Sequence, residues 1–141
     1  MKPLLVAVDF SDLSKRAVAY AVDYAKGSDR KVNVLHVGQD TLPARAQAHA
    51  PAEILDAIRE AEDKEDQAEL DGVLASIPEE HRGEGLLRRG PAAETICEVA
   101  ADGYELVVVS THGRTGLSQF FLGSVAERVV RFSPIPVLVV R

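Results

Sequence analysis

Three short, continuous apolar runs, residues 4–8, 106–109 and 137–140, and a fourth broken by Asn33 and His36, residues 32–37, limit what this chain can fold into. Runs of this length and continuity fit strands covered on both faces, as in a parallel sheet. The stretches between them have helical period. After Ser11 or Asp12 as a cap, Leu13, Ala17, Val18, Ala21, Val22 and Ala25 recur on one side until Gly27 stops the helix. A long helix is expected over about residues 51–76, with Ile54, Leu55, Ile58 and Ala61 forming one stripe and Val73, Leu74 and Ile77 renewing it; its acids take the outer, solvated face. Pro91 opens a further helix as its first residue, with Ile96, Val99 and Ala100 turned inward up to Gly103. Residues 38–50 show no period and are expected to be a mobile connection, while residues 84–90, with only Leu86 and Leu87 apolar, read as a weak edge strand. Strands alternating with helices give an α/β fold, a doubly wound parallel sheet of five strands in three layers.

A chain of 141 residues suits a single domain over residues 1–141, large enough to bury roughly 68–70% of its unfolded surface without a disulfide or metal. Cys97 is the lone cysteine and is expected to act as a small buried hydrophobe. No apolar run approaches the roughly 20 residues that span a bilayer, so a cytoplasmic protein without a membrane partner is expected. The net charge of −6 argues against nucleic acid as a partner. That charge is localised: residues 53–71 carry nine acids against Arg59 and Lys64, leaving a balance of +1 elsewhere. An anion site away from this segment is therefore compatible with an acidic total.

The segment from Ser110 to Gly116 supplies one. It follows an apolar strand, contains Gly113, Arg114 and Gly116, and leads to Gly123 and Ser124 at the start of a helical pattern. Glycines let backbone amides approach a ligand, and a helix start adds unpaired N–H groups with partial positive charge, which suits phosphate. A structural alternative exists for Ser124: with Glu127 three residues on, it has the spacing of a capping box. The glycines also serve tight turns, and neither Gly-x4-Gly-Lys-Ser/Thr nor Gly-x-Gly-x2-Gly occurs. Asp9 ends the first strand, where a carboxylate can address ribose hydroxyls or cap the following turn. His36, His49, His81 and His112 have no metal-ligand spacing, and no nucleophile elbow is present. No catalytic residue is identified, and the chain is not expected to be an efficient enzyme.

The wording STHGRTGLSQFFLGSVAERVVRFSPIPVLVVR, together with LLVAVDFSDLSKRAVAYA, VLHV and RRGPAAETICEVA, resembles the universal stress protein family over nearly the whole chain. Its nucleotide-binding members carry Gly-x2-Gly-x9-Gly-Ser/Thr; here Gly113, Gly123 and Ser124 match, and Ser110 stands at the first glycine position. The resemblance implies strand order 3-2-1-4-5, an adenine nucleotide alpha hydrolase-like sheet of Rossmann-like type, and a crevice between the first and fourth strands. It also implies ATP, with or without Mg²⁺, as ligand. Gly113, Arg114, Gly123, Ser124 and Val125 would hold the phosphates, with Ser110 and Gly116 in the same loop, while Asp9, Ala7 and Val37 would face the nucleoside. The implied role is a nucleotide-responsive stress regulator. The alternative is an interaction module of the same family that binds no nucleotide and works through dimerisation. A phosphoacceptor receiver domain is disfavoured, because the third strand ends in Arg88-Arg89-Gly90 without an aspartate. The apolar edge at Val137–Val140 predicts a homodimer in which this strand pairs with its symmetry mate.

Overall fold

A computed structural model describes residues 1–113 and 121–141. The elements are β1 (Leu4–Val8), α1 (Asp12–Ala25), β2 (Val32–Gly38), α2 (Ala44–His49), α3 (Ala52–Ala75), β3 (Arg82–Arg89), α4 (Ala92–Ala100), β4 (Leu106–Ser110), α5 (Ser124–Phe132) and β5 (Val137–Val140). The strands form one parallel sheet in the order β3-β2-β1-β4-β5. That is the expected order, with β3 and β5 at the edges.

Alternation along the strands divides the core into two layers. Leu4, Val6, Val8, Val32, Val34 and Val108 pack with Ala17, Val18 and Ala21 of α1 and Leu70 and Val73 of α3. Leu5, Leu35, Val107 and Val109 pack on the other face with Ala93 and Ile96 of α4 and Ala126 and Val129 of α5. Because both faces are covered, the continuous apolar runs are fully used. Ser11 caps α1 by accepting a 3.2 Å hydrogen bond from the Ser14 amide. Beyond Ala25, Gly27 takes a φ of 78°, the left-handed conformation that ends a helix.

Three sequence expectations change. Residues 38–50 are not without structure, since Ala44–His49 forms the short helix α2, although none of its side chains is buried. Pro91 stands one residue ahead of α4, at its N-cap. The third change concerns α3, in which only Leu70 and Val73 are fully buried, while Leu55 and Ile58 are half-buried and Ile54 and Ala61 are exposed. A helix of 24 residues spans about 36 Å, longer than the roughly 27 Å of the eight-residue β3. Its N-terminal half therefore has little sheet beneath it.

The β2–β3 pairing contains a bulge. Val32 pairs with Arg82 and Val34 with Gly85, so two steps on β2 face three on β3. The buried Asn33 fills the irregularity: its Oδ1 accepts from the Glu84 amide at 3.0 Å and its Nδ2 donates to the Tyr104 hydroxyl at 3.1 Å. A Cβ on Gly83 would overlap the Asn33 side chain, so the bulge needs glycine there.

Candidate functional site

In an open parallel sheet, ligand clefts form at the carboxyl ends of strands where the chain order reverses. Here that point lies between β1 and β4. β1 is followed by Asp9, whose Oδ1 accepts from the Ser11 amide at 3.0 Å and the Ser11 hydroxyl at 2.5 Å. The turn-capping reading of Asp9 is thus realised. Phe10 between them adopts a φ of 65°, rare for a residue with a bulky side chain, and its ring stacks on His36 with centroids 4.2 Å apart. The His36 Nδ1 lies 2.8 Å from the Val8 carbonyl, so this nitrogen carries the hydrogen and donates. Its Nε2 lies 3.5 Å from Asp66 of α3.

The other side of the cleft is built by the segment after β4. The Thr111 amide donates to the Val140 carbonyl at 2.8 Å, and the Thr111 carbonyl accepts from the Gly123 amide at 2.6 Å. The chain thus leaves β4 and enters α5 at one fixed point. Gly113 lies against Asp9 so closely that a Cβ would overlap the carboxylate. A Cβ on Gly123 would stand 2.9 Å from the Thr111 carbonyl oxygen and 3.2 Å from the His112 Cα. At Gly123 the atoms met are backbone, a stronger requirement than a permissive turn, whereas a Cβ at Gly113 would displace the Asp9 carboxylate. Ser124 begins α5, so the amides of Ser124, Val125 and Ala126 precede the first intrahelical bond, which runs from the Glu127 amide to the Gly123 carbonyl at 2.9 Å.

The capping box is not formed. Gly123 is the N-cap, one residue earlier than the box requires, and the Glu127 carboxylate turns instead to Arg131 at 2.9 Å. Ser124 is exposed and its hydroxyl makes no hydrogen bond among the described residues. The structural alternative for this side chain is thereby removed.

These parts enclose a cleft of about 740 Å³. Of the sequence-expected residues, Ala7, Asp9, Val37, Ser110, Gly113, Gly123, Ser124 and Val125 all line it. Arg114 and Gly116 lie outside the described residues. The cleft also contains groups the sequence reading did not select: Phe10, His36, Gln39 and Thr41, and the α3 residues Glu62, Glu65, Asp66 and Glu69. The expectation of an outward, solvated acidic face on α3 is corrected for Glu62 and Asp66, which are half-buried, while Glu65 and Glu69 stay exposed at the cleft's edge. They are spaced i, i+3, i+4 and i+7, one helix face, and the long helix carries that face past the sheet to wall the cleft. The same spacing in apolar residues would have been read at once as a buried stripe. A larger hollow of about 890 Å³ lies beside Pro3, Asn33 and Tyr104, but Asn33 and Tyr104 are bonded to each other and it does not adjoin the switch point.

The residues after β2 are fastened by charge. Arg89 reaches Asp40 at 2.8 Å, Glu62 at 3.2 Å and Asp63 at 2.8 Å. Partial burial disfavours its charge, but Asp63, Glu62 and Asp40 outweigh that and hold its pKa above the ordinary arginine value. Burial, with Glu94 nearby, pushes the Cys97 thiol up, away from nucleophilic character. Among the described residues no three His, Cys, Asp or Glu side chains converge as a metal site.

The sequence profile of the universal stress protein family matches residues 1–141. The chain belongs to that family. Universal stress protein YxiE of Bacillus subtilis is 33% identical over 144 residues, covering 98% of this chain and 97% of its own length. The solved structure of the hypothetical protein MJ0577 superposes with a TM-score of 0.84 at 24% identity, covering 99% of this chain and 94% of its own. A universal stress protein in complex with cAMP superposes with a TM-score of 0.59 at 25% identity, covering 99% of this chain and 96% of its own. The five-stranded 3-2-1-4-5 sheet of this universal stress protein is the arrangement its structural neighbours share. Among the described residues no helix is long and apolar enough to cross a membrane.

Proposed function

We propose that this universal stress protein binds an adenine nucleotide, with ATP the ligand, in the cleft between β1 and β4, and that it serves in the cytoplasm as a nucleotide-responsive stress regulator. The observation that carries this reading is the pair of close-packed glycines, Gly113 against the Asp9 carboxylate and Gly123 against the Thr111 and His112 backbone, beside first-turn amides of α5 that make no hydrogen bond among the described residues. Backbone held this closely presents N–H groups to an anion without side chains in the way. The acidic stripe of α3 supports one orientation. Phosphates are repelled from Glu62, Glu65, Asp66 and Glu69 and drawn to α5, leaving the hydroxyl- and amine-bearing nucleoside toward the carboxylates and the Phe10–His36 pair. That a related universal stress protein was solved with cAMP supports the same ligand class. Ser110 adds only a small side chain at the remaining motif position.

Calorimetric titration with ATP and with AMP, each with and without Mg²⁺, tests this directly. Saturable binding of ATP is expected; heats no larger than those of dilution for every nucleotide would favour the interaction module that binds none. No general base for ATP hydrolysis is assigned, and incubation with ATP should release phosphate at a rate far below the roughly 1–10³ s⁻¹ of typical enzymes.

The second half of the proposal is a homodimer through β5. This strand pairs with β4 on one side, and Val137, Leu138 and Val139 remain only half-buried in the single chain. An open apolar edge of this kind is completed by an isologous copy. Analytical ultracentrifugation at micromolar concentration should give a dimer, and a Val139→Lys variant should shift the boundary to monomer. A parent chain that sediments as a monomer would defeat this assignment.

A further inference from the structure

The segment between β2 and α2 lines the cleft with Gln39 and Thr41 without being held by a core. Gln39, Asp40 and Thr41 are all exposed, and α2 beyond them buries no side chain. Their fastenings are polar, and each goes to a different place. The Gln39 amide group donates to the Gly90 carbonyl at 2.9 Å. Thr41 donates its hydroxyl hydrogen to Glu62 of α3. Asp40 is gripped from two sides, by Arg89 at 2.8 Å and by Arg59 at 3.1 Å. Arg89 then extends the same guanidinium to Glu62, to Asp63 and, at 3.4 Å, to the Arg59 carbonyl. From the end of β3 it thus joins the connector, through Asp40, to α3, through Glu62 and Asp63.

We infer that Arg89 is a positioning residue that latches residues 39–41 along the cleft and so governs how tightly the cleft retains its occupant. Gln39, Thr41 and Glu62 line the cleft and Arg89 does not, so Arg89 acts through them. Its side chain is only 25% exposed and that of Glu62 15%, which screens the cluster less than a surface pair. The planar five-donor fork suits several simultaneous acceptors, and a lysine at this position cannot reproduce it. Because no apolar burial backs the tethers, loss of the latch opens the segment locally and leaves the domain folded. The inference rests on the nucleotide reading of the cleft for its ligand, and on the observed ion network for the latch.

The test compares the parent with Arg89→Gln, Arg89→Lys and Asp40→Asn, the last cutting the same network from the connector side without touching β3 or α3. Amide hydrogen exchange over residues 39–42 should accelerate about fivefold in Arg89→Gln and Asp40→Asn. ATP affinity by calorimetry should fall about threefold to tenfold in both, with Arg89→Lys intermediate. Unchanged exchange in both variants overturns the latch, and faster exchange with unchanged ATP affinity overturns its hold on the cleft. A parent protein that binds no ATP removes the nucleotide reading and the retention role together, and this shows before any variant is compared.

Discussion

Replacing Gly123 by valine is expected to weaken ATP binding by about tenfold to a hundredfold while the domain still folds. The reason is geometric. A Cβ at this position stands 2.9 Å from the Thr111 carbonyl oxygen and 3.2 Å from the His112 Cα, both backbone atoms that cannot rotate away. Relief requires the segment after β4 to separate from the start of α5, which lengthens the 2.6 Å hydrogen bond from the Gly123 amide to Thr111. Overpacking of this kind costs about 1–3 kcal/mol, and each 1.4 kcal/mol expressed in the bound state is tenfold in affinity. The amides of Ser124 and Val125 move with the helix start, so the proposed phosphate site is displaced along with the strain. Ser124→Ala should cost less, since it removes one hydroxyl and leaves the backbone in place. Calorimetry on both variants, with circular dichroism to confirm folding, checks the ranking. Parent-like affinity in Gly123→Val would show that the phosphates lie elsewhere.

The largest effect on stability away from the cleft is expected at Asn33. It is buried in β2, accepting from the Glu84 amide and donating to the Tyr104 hydroxyl, at the bulge where Gly83 makes room for it. Asn33→Ala leaves two polar groups without their partner and a small void between β3 and the Tyr104 ring. Each orphaned group costs about 1–3 kcal/mol, so a loss of about 2–4 kcal/mol in urea-induced unfolding is expected. Tyr104→Phe, which removes only one of the two bonds, should lose about 1 kcal/mol. Equal losses in the two variants would contradict the bridging role. ATP affinity should be unaffected in Tyr104→Phe, because the bulge lies near the starts of the strands and the cleft at their ends.

Which parts of this were legible beforehand follows from the kind of signal each part leaves. The strands of the interior were readable because burial on both faces writes an uninterrupted apolar run, as at residues 4–8 and 106–109. Helix α1 was readable because its cap, its stripe and Gly27 agree. Eight of the ten expected cleft residues line the cleft, because a loop motif fixes spacing and the spacing survives folding. Helix α2 left no trace, since an exposed helix of six residues needs no apolar stripe. Ser124 and Glu127 had the spacing of a capping box, but the helix begins one residue too early for it, and that start is set by the Gly123–Thr111 contact across the loop.

The acidic residues of α3 show the same division most plainly. Their number and their i, i+3, i+4, i+7 spacing belong to the sequence, as do the parallel sheet, the two-faced burial and the glycine loop. Their direction does not. Whether a charged stripe meets solvent or walls a cleft depends on how far the helix runs past the sheet and on which strand lies beneath it, and so does the partnership of Arg89 with Asp40, 49 residues away in the chain. Local periodicity records only which residues share a face. Which surface that face meets is decided when distant segments pack, so Asp9 could be named from the chain alone, while its contact with Gly113, and the cleft that contact defines, came from the tertiary structure.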